Sequence, residues 1–335
     1  MRYVPALDGI RAIAAAAVMA FHAWIPGAKG GFLGVDVFFV LSGYLITSIL
    51  LQERQRTGHI DLGRFYLRRV RRLYPALLLL LVVCVGLGPF LWSKYTVEWH
   101  LGAGAIAGLY LSDYAWAVDF PMRHLAHTWS LAVEEQFYLL WPLILLGLVR
   151  LSRRAMTLAL VGAYVLLSAW RWHEWLLGRL DHGVYYSLDT HSAGLILGCI
   201  VAVARPKVSA WVGWAALGVL FACFGTFELF TDAAMISGIT VAEFASVLVI
   251  LAPPSILAAA PLVWLGKVSY GLYLWHYPIM RLLRDMDFSP ATTLLVGAIV
   301  TVPLAALSHR TIEAYFRAQS TSQREPTPTY SASNL

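Results

Sequence analysis

The sequence predicts an all-α polytopic membrane protein: a bundle of about ten transmembrane helices, with eleven as the alternative, and both termini cytoplasmic. Three observations carry this expectation. Mean hydropathy is +0.67, with 59% of the 335 residues hydrophobic and only 13% charged, where soluble domains carry about 25% charged residues. Apolar runs recur near the length of roughly 20 residues that a helix needs to cross a bilayer. The basic residues gather between those runs, so the net charge of +6 reads as a topology signal and not as a nucleic-acid footprint.

The runs fall near 10–26, 32–51, 74–92, 130–150, 156–172, 188–204, 211–230, 234–252, 269–285 and 290–309. A weaker run near 101–118 holds Ser112, Asp113 and several glycines. Arg54, Arg56, Arg64, Arg68, Arg69, Arg71 and Arg72 crowd the segment 52–72, which places it on the cytoplasmic side. Ten spans then bring Arg150, Arg153, Arg154, Arg205, Lys207, Arg310 and Arg317 to the same side, provided that 101–118 lies along the interface or re-enters. Residues 1–318 form one membrane domain, and the Ser-, Thr- and Pro-rich stretch 319–335 reads as a disordered cytoplasmic tail. Cys84, Cys199 and Cys223 each sit inside an apolar run away from any metal-ligand spacing, which suggests packing, with neither a disulfide framework nor a metal. The first run has a weak basic leader and is interrupted by Arg11, so it is expected to be a retained span.

That first run, LDGIRAIAAAAVMAFHAW from Leu7 to Trp24, carries Arg11 and His22. Eleven positions make close to three helical turns, so both side chains point the same way about 16 Å apart. Ionisable groups in a span are costly and mark functional sites, or else snorkel from the span ends. The second run, GVDVFFVLSGYLIT, holds Asp36 and the Ser42-Gly43 pair. Asp36 is expected to pair with His22 across the hairpin and orient its imidazole, the usual support for a general base; Ser42-Gly43 reads as a close-packing motif.

FYLRRVRRLYP, residues 65–75, puts four arginines before Pro75, which suits the first turn of the next helix. Anionic membrane lipid would hold one or two of them, and the guanidinium fork also suits the phosphates of a cytoplasmic donor. In HTWSLAVEEQFYLLWP, Glu134 and Glu135 stand inside a span beside Trp129; each must pair with a cation or be held protonated. YSLDTHSAGLILG supplies Asp189 and His191, and YGLYLWHYP supplies His276. These are weaker candidates for substrate contact, since a His among aromatics is commonly a satisfied core residue.

Five motifs in order, LDGIRAIAAAAVMAFH, GVDVFFVLSGYLIT, FYLRRVRRLYP, HTWSLAVEEQFY and LGKVSYGLYLWHYP, resemble the acyltransferase 3 family of bacterial membrane O-acyltransferases, from about residue 3 to Glu313. The resemblance implies transfer of an acyl group, usually acetyl, from acyl-CoA to a hydroxyl of a carbohydrate or macrolide-like acceptor, in the inner (cytoplasmic) membrane. It implies essential roles for Arg11 and His22, donor binding by Arg68, Arg69 and Arg72, and a role for Glu134. Many relatives read T-R-x-D where this chain has Thr190-His191-Ser192-Ala193, so a cation and an acid are replaced there. Larger relatives carry a fused extracytoplasmic esterase-like domain; with only a short tail expected here, a second transfer step would need a separate protein. The expected mechanism has acyl-CoA entering from the cytoplasm, His22 as general base, and Asp36 and Glu134 as supporting acids. The rival reading is a transporter or flippase of a lipid-linked sugar.

Overall fold

The computed structural model describes residues 3–118, 120–178 and 181–316. The stretch expected to be a tail, 319–335, lies outside the described residues. Among them every regular element is helical.

Pro5 occupies the first turn of α1 (Pro5–His22), where its missing N–H costs nothing. A 3₁₀ turn, Lys29–Leu33, feeds α2 (Gly34–Thr57), which Gly58 closes in a left-handed conformation at φ +81°. Asp61 then caps α3 (Leu62–Leu91) by accepting the Arg64 amide at 2.9 Å. The segment 52–72, expected as a loop, is therefore mostly helix. Its arginines ride on the end of α2 and the first turns of α3, and Pro75 lies inside α3 instead of opening it.

The weak run 101–118 is broken. It forms α4 (Val97–Gly108) and α5 (Ser112–Ala117), with Tyr110 left-handed at φ +55° between them. Neither piece approaches the roughly 20 residues of a full span. Next come α6 (Thr128–Leu148), α7 (Arg153–Leu176), α8 (Asp181–Tyr186), α9 (Leu188–His191) and α10 (Ala193–Ala204). After them follow α11 (Ala210–Thr226), a π-helical turn Ala233–Gly238 leading into α12 (Ile239–Leu251), and α13 (Ala260–Lys267). The chain closes with α14 (Ser269–Asp285) and α15 (Pro290–Ser308).

Among the described residues, six helical stretches are long and apolar enough to cross a membrane: Lys29–Thr57, Leu62–Leu91, Thr128–Leu148, Arg153–Leu176, Ala233–Leu251 and Pro290–Phe316. The four other expected runs are also helical, but α10 and α11 are short, at 12 and 17 residues. α1 and α14 carry charges, Asp8 and Arg11 on one, Arg281, Arg284 and Asp285 on the other.

α2 is the central post: 78% of its apolar window is buried, against 28% for α7 and for the last span. It packs against α1, α6, α10 and α12. The crossing with α10 is close because Gly43 faces the Leu195 carbonyl and Gly198 faces that of Val40, the small-residue contact that serves where lipid offers no hydrophobic drive. A Cβ at Gly43 would sit 1.8 Å from the Leu195 oxygen. Gly43→Ala is therefore expected to cost about 1–3 kcal/mol, read as a lower melting temperature of the detergent-solubilised protein. Gly147→Ala, where a Cβ meets nothing within 4 Å, should leave it unchanged or raised.

Candidate active site

A chamber of about 900 Å³ is lined by Arg11 from α1, Ser42 from α2, Arg69 and Arg72 from α3, and Glu134, Glu135 and Tyr138 from α6. Lys267, Tyr270, Tyr273, His309 and Glu313 complete its wall. The volume falls in the range of about 300–1,000 Å³ typical of ligand pockets. Helical spacing explains which arginines enter. Residues 69 and 72 are three apart and share a face, and the Arg69 guanidinium lies 3.8 Å over the Tyr138 ring. Arg68, one step round the helix, turns away and meets Glu53 at 3.7 Å with a third of its side chain exposed. It is absent from the chamber, so the trio expected to bind a donor is reduced there to Arg69 and Arg72, joined by Arg11. Arg11 also meets Asp8 at 3.7 Å.

Glu134 accepts hydrogen bonds from the Ser42 and Tyr138 hydroxyls. Ser42 thus does more than pack: it ties α2 to the acid of α6.

His22, in the last turn of α1, opens into a second chamber of about 310 Å³ with Val18, Phe32, Val35, Trp129, Tyr185, Tyr186 and Tyr273. The two chambers share Val35 and Tyr273. The smaller one shares Phe21 and Leu229 with a third cleft of about 840 Å³, lined by Trp24, Ile25, Pro26, Lys29 and Glu228. At this last cleft Lys29 and Glu228 form a 2.9 Å ion pair, each side chain more than half exposed.

Asp36 does not pair with His22. Its Oδ1 is 2.9 Å from Nε2 of His191, both fully buried, and Nδ1 of His191 faces the Tyr185 carbonyl. His22 instead places Nδ1 3.0 Å from Nε2 of His276. The directions of these bonds follow from chemistry. His276 Nδ1 faces the carbonyls of Tyr273 (2.7 Å) and Leu272 (3.1 Å), so that nitrogen carries the proton. In the neutral ring Nε2 of His276 must then accept, and His22 Nδ1 must donate. The remaining nitrogen of His22, Nε2, is left with a free lone pair, the form a general base requires.

Other expected residues fall in different places. Trp129 lines the His22 chamber and packs 5.3 Å from the His191 ring, so His191 stands behind the wall and not in it. Asp189 is exposed and accepts the Trp170 indole N–H at 3.0 Å, outside all three cavities. The sequence reading passed over Tyr273, whose hydroxyl donates to the His127 carbonyl at 3.0 Å and lies 2.5 Å from Ser130 Oγ. It also passed over His127, stacked on Tyr277. Their signal was present: Tyr273, His276 and Tyr277 are spaced i, i+3, i+4 on one face of α14. Arg171 and Glu243 were missed as well. They face each other at 3.6 Å with no exposure, Glu243 also accepting from Tyr164 at 2.9 Å. Among the described residues no group of three or more His, Cys, Asp or Glu is placed to hold a metal.

The helical bundle presents arginines, buried acids and a histidine on adjoining cavities, and the comparison of sequences gives the class. Residues 4–310 match the acyltransferase 3 model, described as an acyltransferase domain, and the chain belongs to that family. It is similar to the peptidoglycan O-acetyltransferase OatA of Listeria monocytogenes, at 33% identity over 94% of this chain and 56% of that protein. It is likewise similar to the O-acetyltransferase OatA of Staphylococcus aureus, at 34% identity over 94% of this chain and 57% of that protein. The chain thus spans about half the length of the curated relatives it matches. No solved structure matches it.

Proposed function

We propose that this acyltransferase is an O-acetyltransferase of the cytoplasmic membrane, crossing it about ten times, that passes acetyl from acetyl-CoA on the arginine-rich side to a carbohydrate hydroxyl on the other. The observation that carries this is the adjacency of the arginine-lined chamber to that of His22 through Val35 and Tyr273. Charge supports the orientation. The ends of α2, α6 and α10 and the starts of α3 and α7 carry Arg54, Arg56, Arg64, Arg68, Arg69, Arg71, Arg72, Arg150, Arg153, Arg154 and Arg205, the cytoplasmic bias of membrane proteins.

Arg69, Arg72 and Arg11 are the groups suited to the phosphates and the pantetheine arm of the donor, whose thioester would reach the Val35–Tyr273 junction. His22 Nε2 takes the proton of the acceptor hydroxyl as its oxygen bonds to the acyl carbon. The carbon–sulfur bond then breaks, and the imidazolium returns the proton to the departing thiolate. His276 fixes the imidazole through its Nε2, the place the sequence reading gave to Asp36. Trp129, Tyr185 and Tyr186 give the His22 chamber aromatic faces of the kind that cover a sugar ring. The relatives' named substrate, peptidoglycan, favours a cell-envelope glycan over a macrolide as acceptor.

The test is release of free coenzyme A from labelled acetyl-CoA by the purified protein in liposomes, with and without glycan acceptor. Acceptor-dependent release with label on the glycan is expected. Absence of thioester cleavage with every glycan offered would overturn the reading. Within it, Arg69→Ala and Arg72→Ala are each expected to raise the donor KM about tenfold or more, the worth of one charge-assisted contact. Arg68→Ala should change it less than about twofold, since that side chain sits outside the chamber.

A further inference from the structure

A second basic cavity, separate from the donor chamber, lies where α2, α6, α7 and α10 end and begin. This cleft of about 900 Å³ is lined by Arg54, Arg153 and Arg205 together with Leu51, Leu151 and Met156, and no acidic residue lines it. Each guanidinium is moored by one edge to a carbonyl at a helix end. Arg54 donates to Val149 (2.8 Å), Arg153 to Val203 (2.8 Å) and Ala204, and Arg205 to Ala202 (3.1 Å). Among the described residues none of the three is ion-paired, so most of their N–H donors remain for a ligand.

Arg205 adds a second observation. It closes α10 at φ +46° and ψ 52°, the left-handed position where glycine is the usual residue because a side chain there is strained. Arg205 thus occupies a place that its backbone conformation disfavours for a side chain.

The apolar side of the cleft decides between a soluble anion and a lipid. Leu151, on the cleft's own wall, is 46% exposed, so the apolar side of the cleft opens outward at the end of the bundle. On α2 the donor chamber takes Ser42 and this cleft takes Leu51, about 13 Å further along the axis at 1.5 Å per residue. We propose that the cleft binds the phosphate headgroup of an anionic phospholipid, with its acyl chains leaving past the exposed Leu151, as basic pockets between helices do at the cytoplasmic surface.

The full chain, purified and placed in phosphatidylcholine nanodiscs, is titrated with phosphatidylglycerol, and bound lipid is counted by native mass spectrometry. Retention of phosphatidylglycerol over phosphatidylcholine is expected. Arg205→Gly should weaken it about fivefold, the worth of one basic residue near the membrane surface. The melting temperature should not fall, because glycine suits that backbone. Arg153→Gln should weaken binding by a similar factor. Equal lipid retention by the Arg153→Gln/Arg205→Gly double variant would overturn the proposal. So would displacement of the lipid by glycerol 3-phosphate or inorganic phosphate at matched concentration, which would make this a soluble-anion site. Displacement by coenzyme A would overturn it too, by joining the cleft to the donor path.

Discussion

Replacing His22 with alanine is expected to lower acetyl transfer by roughly 10²–10⁴-fold, the usual contribution of a positioned general base. The donor KM should stay near its original value, because the arginine chamber lies on the far side of Val35 and Tyr273 from the imidazole. Coenzyme A release from saturating donor and acceptor measures the first; the dependence of rate on donor concentration measures the second. A companion variant sharpens the test. His276→Leu removes the acceptor 3.0 Å from His22 Nδ1, so that contact no longer favours the tautomer with a free Nε2. Turnover should fall by about tenfold or more, while His22 itself is untouched. Wild-type turnover in His22→Ala would remove the histidine from the chemistry altogether.

The largest effect on stability is expected at a pair with no assigned part in the reaction. Arg171 and Glu243 are both fully buried, 3.6 Å apart, between α7 and α12. Arg171 also donates to the Thr240 hydroxyl at 2.8 Å. Arg171→Met leaves a carboxylate without its cation in a medium that cannot solvate it, at a cost of about 3–5 kcal/mol. Glu243→Leu alone strands the guanidinium, with a loss of similar size. The double variant, Arg171→Met with Glu243→Leu, should recover most of that loss, since an apolar pair of similar volume commonly does as well as a buried ion pair. Thermal unfolding of the three variants in one detergent decides it: additive losses in the double variant would show that the two charges do not depend on each other.

The helices were legible where the chain wrote them in a single local pattern. The expected runs 269–285 and 290–309 coincide with α14 and α15 almost to the residue, because Pro290 and the Ser289 cap mark the boundary. The arginine segment was misjudged for a physical reason. Arginine forms helix well, so a charge-rich stretch signals water and says little about backbone, and α3 starts thirteen residues before Pro75. Of the residues that line the two chambers, Arg11, His22, Arg69, Arg72 and Glu134 could be picked out as candidates, since each is an ionisable group in or beside a span. Their partners could not. Asp36 finds His191 155 positions away, and His22 finds His276 254 positions away. Nothing in a single sequence orders α1, α2, α9 and α14 around one another. Asp36 near His22 on adjoining spans was the shortest connection on paper, and the bundle folds past it.

The boundary between the two chambers has a consequence for what this protein can carry. Among the described residues, Val35 and Tyr273 are the side chains common to the linings of both spaces. On the proposed reading, a boundary held by one valine and one tyrosine favours handing across a two-carbon fragment over the whole coenzyme. Selection for short chains then lies at that boundary, and traffic between the sides is a relay of the small group from hand to hand.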